Sequence, residues 1–365
     1  MQDKGFTFTS TEQFLKTISP RLYKASQESL RKLLKSENFN DRIINELASI
    51  ATLANYGQTV DINGFVGLVS LAGCTADLFS VKNGNKQVPI ELLKLSGAKL
   101  MLNTTVRSIT KDPNEPNTKN LVTYKSVDSD ELVEEIFDYV IICFPLYKNV
   151  INEHYFKLDF DSSSQFDNLE MQLTNTYFIY GKVKLFNNLP INKYIQLHSV
   201  DPTIPYRTIC VNLPCDYSNI NDKDLFKKDG HQVYKIFAEQ DLNSEVFDKI
   251  FESDYKLLDL MPWLAYPKYS DNESSLDVVL DTIERSRVYY TNSFEWTSSC
   301  MEICSIGSRN VSNFIAKKES ELVKRKFLIS EIKLKDESKY AKLLHKICGF
   351  ATFVSIIVFM FSYFW

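Results

Sequence analysis

Apolar residues recur at three- and four-residue intervals from Thr9 to Ala54, the period of amphipathic helices. Phe14, Leu15 and Ile18 make a first stripe, with Ser10 or Thr11 as its cap and Pro20 as its stop. Leu30, Leu33 and Leu34 make a second. Ile43, Ile44, Leu47 and Ile50 make a third, started by Asn40 or Asp41. Phe65, Val66, Leu68, Val69 and Leu71 form a denser apolar helix punctuated by Gly64, Gly67 and Gly73, where a missing Cβ admits a neighbouring backbone. Asn83-Gly84-Asn85 predicts a turn into a helix over Val88–Leu95, ended by Gly97.

The period then shortens. Ala98–Leu102 and Thr104–Thr110 predict strands, and Leu121–Lys125 with Leu132–Phe137 predict a hairpin beyond a charged loop. Asp138-Tyr-Val-Ile-Ile-Cys-Phe-Pro145 is an apolar run halted by proline, the pattern of a buried parallel strand feeding a loop. Strict alternation over Tyr177–Phe186, Tyr194–His198, Tyr206–Val211 and Gln232–Glu239 predicts an antiparallel sheet. Asn243–Leu258 reads as a helix and Pro262–Tyr269 as a proline-bounded aromatic segment. Val288–Thr291 reads as a strand, followed by a turn at Asn292 and a helix over Ser299–Ala316, with Thr297 or Ser298 as its N-cap. The class is α/β, with an α+β part where the alternating strands lie.

Composition narrows the partners. The chain has 365 residues, room for two domains, and 44% apolar content, ordinary for a folded body. A net charge of −4 supplies no basic footprint for nucleic acid. The 13% aromatic content suits a large apolar pocket or, equally, a bulky core. None of the seven cysteines forms C-x-x-C, and no cysteine pair has a histidine near it at ligand spacing, so no zinc site is expected. Cys300 and Cys304 read as thiols packed on one helical face, and Cys210 and Cys215, flanking Pro214, could bond only in an oxidising compartment.

No apolar leader is visible at Met1–Thr9. Lys317–Ser338 reads as a charged helical stalk. Residues 347–365 carry no charge and would span about 28 Å as a helix, enough to cross a bilayer core. Lys335, Lys339, Lys342 and Lys346 before them favour a cytosolic body. Sequons occur at Asn103, Asn272 and Asn310.

Three segments carry a resemblance: Asn55–Ser70 continued to Asn83-Gly-Asn-Lys86, Met261-Pro-Trp-Leu-Ala-Tyr-Pro-Lys-Tyr269, and Val288-Tyr-Tyr-Thr-Asn-Ser-Phe-Glu295 with Ser299–Ile303. In order and spacing, from Thr7 to Ala316, they resemble the C-terminal two-thirds of the prenylcysteine oxidases, FAD enzymes also called prenylcysteine lyases. The resemblance implies an incomplete Rossmann-like FAD-binding domain and an antiparallel-sheet substrate domain, to which the apolar tail adds a C-terminal transmembrane helix that the family pattern lacks. Together these divide the chain into 1–54 (helical part of the substrate domain), 55–150 (FAD segment), 151–260 (substrate sheet), 261–318 (second FAD segment), 319–346 (stalk) and 347–365 (span).

The resemblance further implies that Gly84 and Asn85 open a helix whose following strand brings Val106 to the adenine side of FAD. Pro145 would end the return strand beside the dinucleotide. Asn292, Glu295, Ser299 and Met301 would lie against the pyrophosphate and isoalloxazine, and Trp263 and Tyr266 would line a prenyl pocket. No catalytic base is named. The implied reaction is oxidative cleavage of prenylcysteine to cysteine, a prenyl aldehyde and hydrogen peroxide, with oxygen as co-substrate, in a lysosomal or endomembrane glycoprotein. The G-x-G-x-x-G fingerprint of the family is absent: none of the eleven glycines forms G-x-G. A membrane-anchored prenyl-binding protein without FAD is the alternative.

Overall fold

The computed structural model describes residues 2–330 except 75–78, 80, 130, 153–156, 159, 185–195, 214–229, 271–274, 283–284 and 286. Helix α1 (Thr11–Ile18) starts at Ser10, whose hydroxyl accepts from the Gln13 amide at 3.2 Å. Pro20 does more than stop it. It opens α2 (Pro20–Ala25), where a missing N–H leaves no bond unmade. Helix α3 (Leu30–Ser36) is capped by Ser29. The third stripe begins as a π-helical stretch, Ile43–Ala48, and continues as α4 (Ser49–Tyr56). It buries Ile44 and Ala48 but leaves Ile43 and Leu47 exposed. Asn63, fully buried, caps α5 (Gly64–Ala72): its Oδ1 accepts from the Phe65 and Val66 amides and its Nδ2 donates to Ser26 O. Helix α6 (Gln87–Ser96) follows the expected turn and ends at Gly97, whose φ is +63.

The predicted strand over Ala98–Leu102 does not form. That segment is irregular and ends in a turn at Asn103, where φ is +54. Strands β1 (Thr104–Lys111), β2 (Asn120–Ser126), β3 (Leu132–Phe137) and β4 (Val140–Ile142) follow, then α7 (Lys148–Asn152), β5 (Lys157–Leu158) and β6 (Met171–Gly181). Next come β7 (Gln196–His198), β8 (Thr208–Val211), β9 (Gln232–Ala238) and α8 (Ser244–Ile250). The helix expected to reach Leu258 stops at Ile250, because Phe251 turns extended and goes fully buried. The chain then enters β10 (Lys256–Pro267), so the proline-bounded Pro262–Tyr269 segment is mostly strand. Strand β11 (Val288–Tyr290), a one-turn helix α9 (Ser293–Thr297) and the long α10 (Met301–Ser330) complete the order. Thr297 and Ser298 do not cap α10, since Thr297 closes α9 and Ser298 follows it.

The described chain divides into two compact units. One holds Met1–Pro20, Val88–Glu170 and the residues from Ser274 on. It contains a sheet in the order β3-β2-β1-β5 and a separate parallel pair, β11 with β4. Segment 276–280 runs along the other side of β11, with Tyr290 N donating to Val278 O and Leu280 N to Val288 O. Arg285, buried, forms an ion pair with buried Asp281 at 2.8 Å and donates to Pro116 O, Lys119 O and Asn120 Oδ1, tying the charged loop before β2 to the approach to β11. Helix α10 can lie close to β11 because of Gly307: a Cβ there would stand 2.9 Å from Thr291 O. Asn310, also fully buried, mimics a peptide group: it donates to Phe8 O and accepts from Phe8 N, both at 2.8 Å.

The other unit holds Arg21–Gln87 and Met171–Glu273. Its antiparallel sheet runs β10-β6-β9-β8-β7, as the alternation predicted. One face packs Tyr177, Ile179, Tyr234 and Ile236 against Phe247, Ile250 and Phe251. Its helices close a second core around Leu30, Ile44, Val60 and Val66. Gly64 is required there, since an added Cβ would meet Ala25 O at 2.5 Å.

The apolar tail 347–365 and most of the expected stalk lie outside the described residues. Among those described, no helix is long and apolar enough to cross a membrane. Cys215 also lies outside them, while Cys210 is a free thiol.

Replacing Asn310 with Ala would strand the buried N–H and C=O of Phe8. The expected loss is about 2–4 kcal/mol, two unsatisfied backbone groups at roughly 1–2 each. A urea titration of Asn310→Ala with an unchanged slope checks it, and a midpoint equal to the parent's would show that the clamp contributes nothing.

Candidate functional site

In α/β sheets ligands bind beyond the carboxyl ends of parallel strands. The parallel pair here is β4 and β11, in register Val140↔Val288, Tyr289↔Ile141 and Tyr290↔Ile142. Beyond their ends the chain is held by side chains. Thr291 donates from both N and Oγ1 to Ile142 O, each at 3.1 Å. The fully buried Tyr290 hydroxyl accepts from Leu146 N at 3.0 Å and Trp296 Nε1 at 2.8 Å. Ser293 Oγ donates to Tyr290 O at 3.0 Å. Pro145, between buried Phe144 and Leu146, is thereby fastened against α9, so the structure brings Pro145, Asn292, Glu295 and Ser299 into one neighbourhood.

Glu295 is the centre of that group. Asn292 Nδ2 donates to its Oε2, and Ser299 Oγ donates to its Oε1 at 3.1 Å. Burial raises the carboxyl above its ordinary range, outweighing the two hydrogen bonds that lower it. Met301 is exposed at the first position of α10.

Cys300 stands where an N-cap residue would, with its sulfur against the Glu302 and Ile303 amides. A thiol at a helix N-terminus is ordinarily acidified, yet burial wins and raises it. Cys304 is exposed as a residue, but its thiol end is shielded and is pushed up to about 12, by burial first and then by Glu295 and Cys300. Burial also raises Cys143, against a hydrogen bond from Thr291. All three therefore stay protonated at neutral pH, as packed thiols would. Among the described residues no group of three or more His, Cys, Asp or Glu is placed to hold a metal.

Val106 lies elsewhere in the same unit. It is buried in β1, opposite Tyr124 and beside a bulge before Ser108, in the four-stranded sheet rather than the parallel pair. Gly84 and Asn85 belong to the other unit. Gly84 has φ +92, and Asn85 Oδ1 accepts from Val81 N at 3.3 Å, closing the turn before α6.

Trp263 and Tyr266 also lie in that second unit, on β10 and its terminal bulge. Trp263 is half-buried opposite Thr174. Tyr266 has φ +67, a strained value for a bulky residue. Its ring meets Tyr56 edge-on at 5.3 Å, and Tyr56 meets Tyr269 at 5.6 Å. Gln58 holds the segment from both sides, donating to Pro267 O at 2.9 Å and accepting from Tyr269 N at 3.0 Å.

Sequence reasoning missed Tyr290, Thr291 and Trp296 as the residues that fasten the site. Tyr290 and Thr291 sit inside a quoted motif and Trp296 directly after it, and the signal was a Tyr and a Trp six apart across a turn, too sparse to show periodicity.

Residues 1–325 match the family described as prenylcysteine lyase. The chain belongs to the prenylcysteine lyase family. It is 29% identical over 321 residues to prenylcysteine oxidase 1 of Mus musculus, covering 85% of this chain and 61% of that protein. It is 28% identical over 314 residues to farnesylcysteine lyase of Arabidopsis thaliana, covering 84% of this chain and 56% of that protein. With prenylcysteine oxidase 1-like of Homo sapiens the identity is 24%, over 85% of this chain and 62% of that protein. The chain thus spans about three-fifths of the length of these curated relatives.

Against a dinucleotide, the residues beyond β4 and β11 offer one feature: the start of α10 presents a positive dipole end, with the Cys300 sulfur against its Glu302 and Ile303 amides. They do not form a phosphate cradle, since no G-x-G occurs in the sequence.

The raised Glu295 carboxyl sets a pH dependence. The folded chain holds this proton more tightly than the unfolded chain, so the contribution to stability is fullest below the ordinary carboxylate range. It is lost as pH rises through the raised value. Glu295→Gln removes that loss. Denaturant midpoints from pH 4 to 7 should fall more steeply for the parent than for the variant, and parallel profiles would refute the assignment.

Proposed function

We propose that this chain is an FAD-dependent oxidoreductase that cleaves the thioether of prenylcysteine, with oxygen as the second substrate, in the breakdown of prenylated proteins. The observation that carries the reading is the family match across residues 1–325. The fastened turn beyond β4 and β11 supports it, since it sets Pro145, Asn292, Glu295 and Ser299 past the carboxyl ends of a parallel strand pair, where ligands of α/β sheets bind. The names of the relatives, prenylcysteine oxidase 1 and farnesylcysteine lyase, point to the same substrate class.

The chemistry supplied by FAD when bound is acceptance of a hydride from the prenyl carbon attached to sulfur, with the electrons passed to oxygen as hydrogen peroxide. The residues of this chain would hold and orient. Asn292, Ser299 and Met301, with Pro145, would border the cofactor, Glu295 would keep Asn292 and Ser299 in place, and the Val106 strand would meet its adenine side. Gly84 and Asn85 would shape the turn before α6. Trp263 and Tyr266 would give the prenyl chain an apolar wall, and the aromatic contacts that fix Tyr266 would spare that wall the entropy of ordering on binding. Water added at the oxidised carbon gives a thiohemiacetal. Its carbon–sulfur bond breaks with return of the proton to sulfur, leaving cysteine and a prenyl aldehyde. In keeping with the resemblance, we place the protein at a lysosomal or other endomembrane; the charge-free run 347–365, an addition to the family pattern, would supply its anchor.

Titration of the full chain with FAD should quench flavin fluorescence. Farnesylcysteine in air should then yield peroxide, aldehyde and cysteine in equal amounts. Trp263→Ala is expected to raise KM about tenfold, roughly the 1.4 kcal/mol of one aromatic contact, with kcat little changed. A folded, colourless protein that takes up no FAD and releases no peroxide sinks the enzymatic reading and favours the binding protein without cofactor.

A further inference from the structure

The sheet β10-β6-β9-β8-β7 spends one face on the core against Phe247 and Phe251. Its register sets one row of side chains across the other face. His198 stands opposite Thr208, Thr208 opposite Phe237, Phe237 opposite Thr176, and Thr176 opposite Met261. Trp263 lies two residues beyond Met261 on β10 and so projects from that same face. Apart from buried Thr208, these side chains are half-buried.

Two polar groups stand on this face away from Trp263. Lys235 is half-buried, its ammonium lies 5.0 Å from the centroid of the Phe237 ring, and no described carboxylate pairs with it. An ammonium that has shed part of its water with only a ring face in return calls for an anion. On β7, His198 Nδ1 lies 3.0 Å from Thr208 Oγ1. Burial lowers the imidazolium below its ordinary range, so the ring is neutral at neutral pH. Where the Thr208 hydroxyl donates to Nδ1, Nε2 carries the proton and can donate to an anion.

Neighbouring strands lie about 4.8 Å apart, so the spacings from β7 to β10 put His198 roughly 19 Å from the strand of Trp263. Extended farnesylcysteine measures roughly 19 Å from its last prenyl carbon to its carboxyl carbon, at about 1.3 Å of advance along each bond. An apolar chain with a charged head therefore matches this face in length and in polarity. We propose that Lys235 and His198 receive the free α-carboxylate of prenylcysteine while its prenyl chain crosses the sheet to Trp263, so that the protein selects the free amino acid over its carboxyl esters. The inference rests on the prenylcysteine reading and deepens it by assigning the residues that recognise the amino-acid end.

Binding of farnesylcysteine and of its methyl ester to the full chain is measured by calorimetry, which needs no turnover. The acid should bind about thirtyfold more tightly than the ester, the range of one charge-assisted contact. Lys235→Met keeps the apolar stem and should erase that preference by weakening the acid alone. An unchanged Kd for the ester then shows that the variant is folded. Lys235→Arg should restore most of the preference. His198→Asn, which can still meet Thr208 but lacks the far ring nitrogen, should lower it several-fold. Equal binding of acid and ester by the parent, or equal weakening of both by Lys235→Met, overturns the proposal and leaves the prenylcysteine reading standing. A parent that binds neither ligand sinks that reading, and this inference with it.

Discussion

The Tyr290 hydroxyl is the joint on which the candidate site depends. Strands β4 and β11 are three residues each, too short to be stable as a parallel pair alone. They come from distant parts of the chain, so closing that loop costs entropy that few strand bonds can offset. The end of the pair is therefore secured by side chains. Tyr290 bridges the chain leaving β4, at Leu146, to Trp296 after β11, and Thr291 doubles the bond to Ile142 O. Gly307 then lets α10 close over the same spot. Without this joint Pro145 and Glu295 would have no fixed relation.

The electrostatics around that joint are settled by burial. The start of a long helix, hydroxyl and amide donors and three thiols would together suggest an acidified, reactive centre. Each thiol and the Glu295 carboxyl instead shifts toward its neutral form. Desolvation of a charge outweighs one or two hydrogen bonds unless a full counter-charge is near. The site therefore suits holding a ligand and excluding water better than supplying a nucleophile, which accords with a reaction whose difficult chemistry belongs to a cofactor.

Much of this was legible in the sequence where a single period dominated. The alternation over β6, β8 and β9 and the apolar run at β4 gave strands, because one face or both faces of those strands are buried and the pattern records it. Legibility failed where tertiary contacts chose between local options. Ala98–Leu102 has strand-like composition, but among the described residues no strand pairs with it and its leucines stay exposed. The helix at Asn243 looked long enough to reach Leu258 until Phe251 was needed in the sheet core. The Pro262–Tyr269 segment showed only its prolines and aromatics and no strand alternation, though an edge strand tolerates proline on its open side. Tyr290 and Trp296 gave no signal, since a hydrogen bond between two aromatic side chains has no period.

Strand β10 shows how a segment can be exposed, apolar and yet specific. It is the outermost strand of its sheet, and Leu257, Leu258, Leu260 and Leu264 are all exposed on it. A long apolar edge invites another strand. Two features oppose that here: a bulge between Leu257 and Asp259 bends the edge, and Pro262 removes a donor from it. The second bulge, before Pro267, throws Tyr266 into its left-handed conformation. Such strain costs about 1–3 kcal/mol and persists only where the surroundings over-determine it. The ring of Tyr56 and the two bonds of Gln58 do so. The same contacts that forbid Tyr266 to relax hold its ring at one angle to the strand. The segment that the family resemblance marks as a hallmark is thus the place where this unit spends stability to fix an aromatic surface.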